Sequence, residues 1–237
     1  MSCPLRLKPA FRNFEPDELA FVDHFKKGEI TLERGATALS EGEASPNLYT
    51  VLRGWGFRYK LMEDGRRQIL NYVLPGDLIG LQSSLLGEME HSVEALSEMV
   101  LCSFDRHRLP ELYRDFPGLA FDVTWLASRE EQMLDENLLS IGRRSAVERA
   151  SYLLAFLATR AQTLSGDPDG PVRIPINQQH VADTLGLSLV HTNRTLRKLA
   201  SKDFIAWKDG VCIVTDSQAL ARLARWRGLG ETTRPLI

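Results

Sequence analysis

Four polar or basic side chains lie close together near the carboxyl end of the chain: Asn193, Arg194, Arg197 and Lys198. The surrounding stretch, residues 180–199, reads HVADTLGLSLVHTNRTLRKL. Asn193 and Arg197 are four residues apart, and Arg194 and Arg197 are three apart, so all three share one side of an α-helix. In the major groove of DNA, an arginine can form two hydrogen bonds with guanine and an asparagine can form two with adenine. The spacing therefore predicts a side of a helix that contacts bases.

Two short helices must position these side chains, and the residues between them fit a tight turn. Ala182 is small where two helices would touch, Gly186 can adopt the positive φ of the turn, and Ser188 can cap the second helix. Leu187 can fill the corner of the turn. The residues expected on the inner faces are Val181, Leu185, Thr192, Leu196 and Leu199. The alternative interpretation is an ordinary helical pair with a solvated charged side.

The outer side of the second helix is expected to read bases through Val190, His191, Asn193 and Arg194. Contacts to the phosphates, which position the protein without reading sequence, are expected from further polar and basic side chains. These are Asn177, Gln179, Ser188, Arg197, Lys198, Lys202 and Lys208. Asp209 and Gly210 lie between two apolar runs and predict a β-hairpin after the helices.

The composition is that of an ordinary globular protein, with 237 residues, 43% hydrophobic and 25% charged. No apolar run reaches the ~18–20 residues of a membrane span, and no secretory signal is evident, so a cytoplasmic location and no membrane contact are expected. The charge is asymmetric: from Ser145 onward 12 Lys and Arg stand against 8 Asp and Glu, before it 17 against 23. A basic carboxyl-terminal module facing a polyanion fits this balance.

The amino-terminal half shows short alternating runs between about Gly28 and Phe104, which predict six to eight strands in an antiparallel barrel or jelly roll. Residues 47–61 (NLYTVLRGWGFRYKL) are interpreted as strand, glycine turn and strand. Residues 63–80 (EDGRRQILNYVLPGDLIG) predict an Asp64-Gly65 hairpin, a strand and a Pro-Gly-Asp turn, and residues 91–105 two more strands.

One long helix is predicted over residues 119–143, because Pro and Gly are absent there until Gly142. Its narrow apolar stripe is expected to pair with a second copy of the chain, and packing on its own barrel is the alternative. The stripe consists of Leu119, Leu126, Met133, Leu134, Leu138 and Ile141, together with Val123. Ser145 and Glu148 form a capping box that starts a new helix, which runs to about Ser165.

The fold class is therefore α+β, with an antiparallel β-roll (1–117), a dimerisation helix and hinge (118–144) and a winged helix-turn-helix domain (145–237). In this order the chain resembles the CRP/FNR superfamily of bacterial transcription regulators over nearly its full length. The resemblance is carried by LYTVLRGWGFRYKL, LPGDLIG and the 177–199 helix-turn-helix. It implies a cyclic-nucleotide-binding-type sensor, a homodimer on palindromic double-stranded DNA, and contact with RNA polymerase.

The resemblance also implies contacts that this chain lacks. Where cyclic-AMP-responsive members carry a Gly-Glu pair, Gly80 is followed by Leu81, and their Arg-Ser pair corresponds to His91-Ser92. The adenine-binding Thr-Ser pair of the long helix corresponds to Leu134-Asp135. Cyclic AMP is therefore not expected to bind, and any other effector would meet a pocket formed by Leu81, Gln82, His91 and Ser92.

Other cofactors of the family are not expected either. Three separated cysteines, Cys3, Cys102 and Cys212, include no CxxC pair, and the oxygen-sensing members need a cluster of thiolates at the amino terminus. A haem ligand could come from His24, His91 or His107, but an isolated histidine is more commonly a surface or core residue. No metal site and no catalytic constellation is apparent, so an enzyme is not expected.

The recognition helix departs from the family pattern at two positions. Val190 occupies the position where family members usually have Glu, and Asn193 the position where they usually have Ser or Gly. Arg194 matches the arginine of the family. We expect a DNA-binding transcription regulator with its own half-site. A signal at the β-roll or at the Cys3 thiol would reach the recognition helices through the hinge, or the regulator would act without a sensor. The rival interpretation is a small-molecule-binding module whose winged helix docks protein. Operator, target genes and activation or repression stay open.

Overall fold

The computed structural model describes residues 3–167, 170–230 and 233–237. The chain folds into two compact units. The first contains the residues up to Lys60, Tyr72–Gln132 and Thr233–Ile237, and the second contains Leu61–Asn71 and the chain from Met133 onward. The division falls within the long helix and not at the predicted ends of that helix, because its two parts pack against different neighbours.

Eight strands form two four-stranded sheets. They are β1 (Lys26–Leu32), β2 (Thr37–Leu39), β3 (Asn47–Arg53), β4 (Gly56–Leu61), β5 (Arg67–Val73), β6 (Leu78–Ile79), β7 (Ser92–Ala95) and β8 (Met99–Asp105). One sheet has the order β1-β8-β3-β6 and the other β2-β7-β4-β5. The strand pairs are antiparallel, which confirms the predicted jelly roll.

The two strands predicted in residues 47–61 belong to different sheets, β3 to one and β4 to the other. Gly54 lies between them with a φ of +87°, and a Cβ atom there would be 2.1 Å from the carbonyl oxygen of Glu98. Only glycine fits this crossing between the sheets. The Asp64-Gly65 turn, in contrast, joins the neighbouring strands β4 and β5, as predicted.

The core of the β-roll lies between the two sheets and is built from alternate residues of their strands. Val51, Val93, Met99 and Leu101 are completely buried. The remaining members of this cluster are Leu39, Tyr49, Val73, Ile79, Met89 and Ala95. Apolar side chains at every second position of a strand therefore lie on one face of each sheet, and this face packs inward.

Four helices accompany the strands: α1 (Pro16–Phe25), α2 (Leu81–Leu86), α3 (Leu109–Asp115) and the long helix α4 (Pro117–Arg143). A buried ion-pair network ties the start of the chain to α1 and α4. The Arg12 guanidinium contacts both Oε atoms of Glu18, at 2.8 and 3.1 Å, and Asp122 Oδ2, at 2.6 Å from Nε. The hydrogen bond from Arg12 lowers the pKa of Glu18.

The long helix α4 ends at Arg143 as predicted but begins at Pro117, two residues before the predicted start. The predicted dimer stripe needs a correction. Leu119, Leu126 and Met133 are only 0%, 8% and 7% exposed in the single chain and therefore belong to its own core. Leu134 and Leu138 are 41% and 72% exposed, and Ile141 is half-buried. One side of the helix thus packs inward while a neighbouring side stays uncovered.

The second unit contains the remaining elements. These are α5 (Ala146–Ser165), β9 (Val172–Ile174), α6 (Gln178–Leu185), α7 (Leu189–Ala200), β10 (Ile205–Lys208), β11 (Val211–Val214) and α8 (Ser217–Leu223). Ser145 caps α5 through the predicted box with Glu148. Asp209 and Gly210 both have positive φ, at 54° and 74°, and join β10 to β11 in the predicted hairpin. None of the helices in the described ranges is long and apolar enough to cross a membrane.

We predict that Arg12→Met lowers the free energy of unfolding by about 3–5 kcal/mol, because Glu18 and Asp122 would remain buried without their cation. Urea denaturation measures the difference. The control is Arg114→Met, which removes a surface partner of Asp115 and should cost about 0–1 kcal/mol. Equal losses in the two variants would contradict the role given to the network.

Candidate nucleic-acid interface

The turn between α6 and α7 has the local geometry that its sequence predicts. Gly186 adopts a φ of 64°, and its N–H and that of Leu187 both donate to the carbonyl of Ala182, which ends α6. Ser188 then caps α7, since its Oγ accepts a hydrogen bond from the N–H of His191. The helices therefore pack closely at a fixed angle.

The inner side of α7 is buried and its outer side is open. Thr192, Leu196 and Leu199 are 0–2% exposed. On the outer side Val190 is 73% exposed, Asn193 is half-buried, and four further side chains are exposed: His191, Arg194, Arg197 and Lys198. The structure thus brings together all four predicted base-reading residues on one helix.

The three cations of this outer side, Arg194, Arg197 and Lys198, have no ion-pair partner among the residues that the structure describes. Most basic side chains of the first unit differ in this respect: Arg12, Lys60 and Arg108, for example, each contact a carboxylate within 4 Å. Unpaired, exposed cations on one helix form a surface that can receive phosphate or base acceptors.

The remaining predicted phosphate contacts divide into two groups. Lys202 and Lys208 are exposed, Lys202 after α7 and Lys208 at the tip of the β10–β11 hairpin. Asn177, Gln179 and Ser188, in contrast, already serve the fold. Asn177 caps α6 by accepting from the N–H of His180, Ser188 caps α7, and Gln179 Nε2 donates to Asp183 Oδ1 at 2.6 Å.

Residues from the β4–β5 hairpin hold the back of α6, which the sequence did not predict. Arg67 Nε donates to Asp183 Oδ2 at 2.9 Å, and Gln68 Nε2 donates to the carbonyl of Thr184 at 3.0 Å. Arg149 of α5 reaches the carbonyl of Leu185 at 3.3 Å. Because more than a hundred residues separate Arg67 from Asp183, no local pattern could have revealed this contact.

The comparison with known proteins follows the same division of the chain. The cyclic nucleotide-binding domain family matches residues 29–116, and the Crp-like helix-turn-helix domain family matches residues 149–223. The nitrogen fixation regulation protein FixK of Bradyrhizobium diazoefficiens is 31% identical over 94% of this chain and 92% of its own length. The chain belongs to the CRP/FNR superfamily. It is a DNA-binding transcription regulator of this type.

Two further CRP/FNR proteins are similar. The transcriptional activatory protein AadR of Rhodopseudomonas palustris is 31% identical over 74% of this chain and 72% of its own length. The solved structure of FixK2 from Bradyrhizobium japonicum superposes with a TM-score of 0.72 at 24% identity, covering 86% of this chain and 98% of that one. The latter likeness supports the fold.

A largely buried ion pair joins β4 to α4 within the first unit. Arg58 of β4 contacts Glu130 of α4, with 3.1 Å between Nη1 and Oε1, and donates from Nη2 to the carbonyl of Leu78. Both side chains are largely buried, at 12% and 20% exposure. The positive charge of Arg58 also helps to lower the pKa of His91.

The residues of the predicted effector pocket are partly engaged by the chain itself. Burial, followed by the charges of Arg58 and Lys60, lowers the pKa of His91 to about 3, so the imidazole is neutral. Ser92 Oγ accepts from the N–H of Glu41, and Gln82 Oε1 accepts from the N–H of Glu90. Leu81 offers no acceptor for a ribose hydroxyl.

Candidates for other cofactors are dispersed. Among the residues that the structure describes, no three His, Cys, Asp or Glu side chains are grouped closely enough to hold a metal ion. His24 and His107 are exposed. Burial raises the pKa of Cys102 to about 11 and that of Cys212 to about 12, so both thiols stay protonated at neutral pH.

The pKa of His91 predicts how its stability contribution depends on pH. Unfolding raises the pKa from about 3 to about 6.5, so the unfolded chain binds the extra proton between these values and stability falls as the pH drops from 6.5 toward 3. We expect His91→Gln to remove up to about 1.4 kcal/mol per pH unit of that slope.

Urea denaturation of wild type and variant at several pH values between 4 and 7 measures this slope. The control is His107→Gln, which changes an exposed histidine and should leave the slope as it is. A slope in the His91 variant identical to that of wild type would show that the buried imidazole is not the group that titrates.

Proposed function

We propose that this protein binds a pseudo-palindromic site in double-stranded DNA as a homodimer and activates transcription from it. The observation that carries the proposal is the outer side of α7, where Arg194, Arg197 and Lys198 are exposed without ion-pair partners among the described residues. The helix width suits a major groove, and such cations replace the counterions of the phosphates.

The residue types on α7 favour base contacts by some side chains and phosphate contacts by others. Arg194 suits the two acceptors of guanine, Asn193 suits adenine, and Val190, which is 73% exposed, suits the methyl group of thymine. His191 lies beside them. Arg197, Lys198, Lys202 and Lys208 suit phosphates, which set the register of the protein on the duplex.

The uncovered side of α4 supports a homodimer. Leu134 and Leu138 are 41% and 72% exposed, and Phe121 and Leu139 add 69% and 48% exposure along the same helix. An apolar strip of this length favours contact with a second copy, and a twofold axis makes the strip its own partner. Two recognition helices about 34 Å apart would then match a pseudo-palindrome.

Activation is the direction that the relatives favour, since AadR carries the name of a transcriptional activatory protein. Contact with RNA polymerase in the cytoplasm is part of this proposal, as the family membership suggests. Catalysis is not part of it.

Cyclic AMP is not the proposed effector. The Arg58–Glu130 ion pair and the neutral His91 support this, because a nucleotide phosphate would meet a guanidinium that is already paired and an imidazole without charge. Iron–sulfur and haem cofactors are not proposed either.

We predict that Arg194→Ala weakens binding to the preferred site by about 1–3 kcal/mol and relaxes the preference at one base position, because a bidentate contact to a base is lost. The site is first selected from random duplexes with the wild-type protein, and fluorescence anisotropy then gives the affinities. Arg114→Ala removes an equal charge from the first unit and should leave the affinity nearly unchanged.

Lys198→Ala should instead weaken all sequences alike and reduce the slope of log K against log salt by about one. If Arg194→Ala behaved in the same way, Arg194 would be a phosphate contact. An affinity of the wild-type protein for DNA that did not depend on salt would favour the rival function, a winged helix that docks protein.

We predict that Leu138→Glu converts the protein to a monomer, because a carboxylate would be buried without a partner in the apolar strip. Sedimentation velocity measures the assembly state, and the variant should lose tight binding to the full site. Leu86→Glu is the control, since it replaces a leucine of similar exposure, 68%, that lies in α2 and outside the strip. A dimeric Leu138→Glu variant would show that α4 is not the interface.

A further inference from the structure

Residues Thr233–Ile237 were predicted to be the last part of the winged helix-turn-helix domain (145–237), but they belong to the first unit. Leu236 and Ile237 are 2% and 4% exposed, values that match the core of the β-roll. The last helix of the second unit, α8, ends at Leu223, ten residues before this segment. The segment is therefore a part of the β-roll that the chain supplies from its far end.

The backbone of the segment pairs with the amino-terminal residues. Arg234 forms a parallel bridge with Phe11. The N–H of Arg234 donates to the carbonyl of Ala10 at 2.9 Å, and the N–H of Arg12 donates to the carbonyl of Arg234 at 2.8 Å. These two hydrogen bonds form a single parallel β-bridge, a backbone contact of the kind by which extended peptides dock on other proteins.

The Arg234 side chain makes a specific contact with the Pro-Gly-Asp turn that precedes β6. Its Nη2 lies 2.7 Å from Asp77 Oδ1 and 3.4 Å from the carbonyl oxygen of Gly76. Asp77 is only 6% exposed and also accepts from the N–H of Leu74 with its other oxygen. The guanidinium lies 5.8 Å from the ring centre of Phe11. A buried carboxylate is thus satisfied by the segment.

Two aliphatic side chains complete the contact. Leu236 and Ile237 line a cavity together with Leu52 of β3 and Phe104 of β8, while the Thr50 hydroxyl donates to the carbonyl of Ile237. Backbone pairing, a charge-specific contact and an apolar anchor are the three elements of a peptide-binding groove.

We propose that the surface formed by residues 8–12, Thr50, Leu52, Asp77 and Phe104 is a peptide-docking groove whose ligand is the segment Thr233–Ile237 of the same chain. The docked segment is a strap by which residues that follow α8 in the sequence are held on the β-roll. An arginine followed two and three residues later by aliphatic side chains is the motif that the groove selects.

The test uses the full chain with Leu236→Asp, which places a carboxylate in the apolar anchor. Hydrogen exchange measured by mass spectrometry should show at least tenfold faster exchange in the peptides that cover residues 8–14 and 233–237, with α7 unchanged. Leu236→Met retains the apolar contact and should exchange like wild type, and Arg227→Ala removes an exposed arginine outside the segment as the charge-matched control.

A peptide of sequence TRPLI, blocked at both ends, separates docking from a general loss of packing. Added to the Leu236→Asp variant at increasing concentration, it should raise the melting temperature of the variant and restore slow exchange in residues 8–14. The wild-type protein should not respond at the same concentrations, because its tethered segment has an effective concentration near the millimolar range.

Three results would overturn the proposal. Slow exchange of residues 8–14 in Leu236→Asp would show that the segment does not occupy the groove, and failure of the peptide to act on the variant would show that no docking groove exists. Protection in the wild-type protein that increased with protein concentration would assign the segment to the groove of a second copy and not to that of its own chain.

Discussion

The buried inner side of α7 is the constraint on which DNA recognition depends in this protein. Thr192, Leu196 and Leu199 pack inward and set the rotation of the helix, so Arg194 and Arg197 face outward. Turning the helix by one residue would expose two leucines and bury a guanidinium, which is strongly unfavourable without a partner. The exposure of the cations thus follows from the apolar packing beneath them. For the same reason, Val190 and Asn193 can differ from the usual family residues while the fold of the domain stays the same.

The β-roll has the family fold, and a charged pair connects it to the long helix. Arg58 and Glu130 join β4 to α4 through a largely buried ion pair. If a ligand broke this ion pair, two charges would be buried without partners. Such a ligand would have to supply a new partner to the guanidinium and another to the carboxylate at the same time.

Sequence patterns predicted those parts of the structure that depend on neighbouring residues. The Ser145 cap, the positive φ of Gly186 and the Asp209-Gly210 hairpin are local, since each is decided within about four residues. The sides of α4 were harder, because periodicity identifies an apolar stripe without saying whether it meets the same chain or a second one. Contacts between distant segments leave no local signal; examples are Arg12 with Asp122 and Arg67 with Asp183. The sequence around a charged residue is the same whether or not that residue has a distant partner. The candidate base-reading residues could be found because their side of α7 follows from helical geometry alone.

Hydrogen bonds connect the β4–β5 hairpin to α6, and a short turn connects α6 to the recognition helix α7. Asp183 receives hydrogen bonds from both Arg67 and Gln179, and the carbonyl of Thr184 receives one from Gln68, so the hairpin holds the side chain and the backbone of α6 together. The short turn at Gly186 then fixes α7 relative to α6. A displacement of the hairpin must either break these hydrogen bonds or carry α6 and α7 with it as one body. Packed elements change between discrete arrangements and do not deform gradually. A signal that moved this hairpin would therefore move the recognition helix as a whole, and the same side chains of that helix would stay exposed.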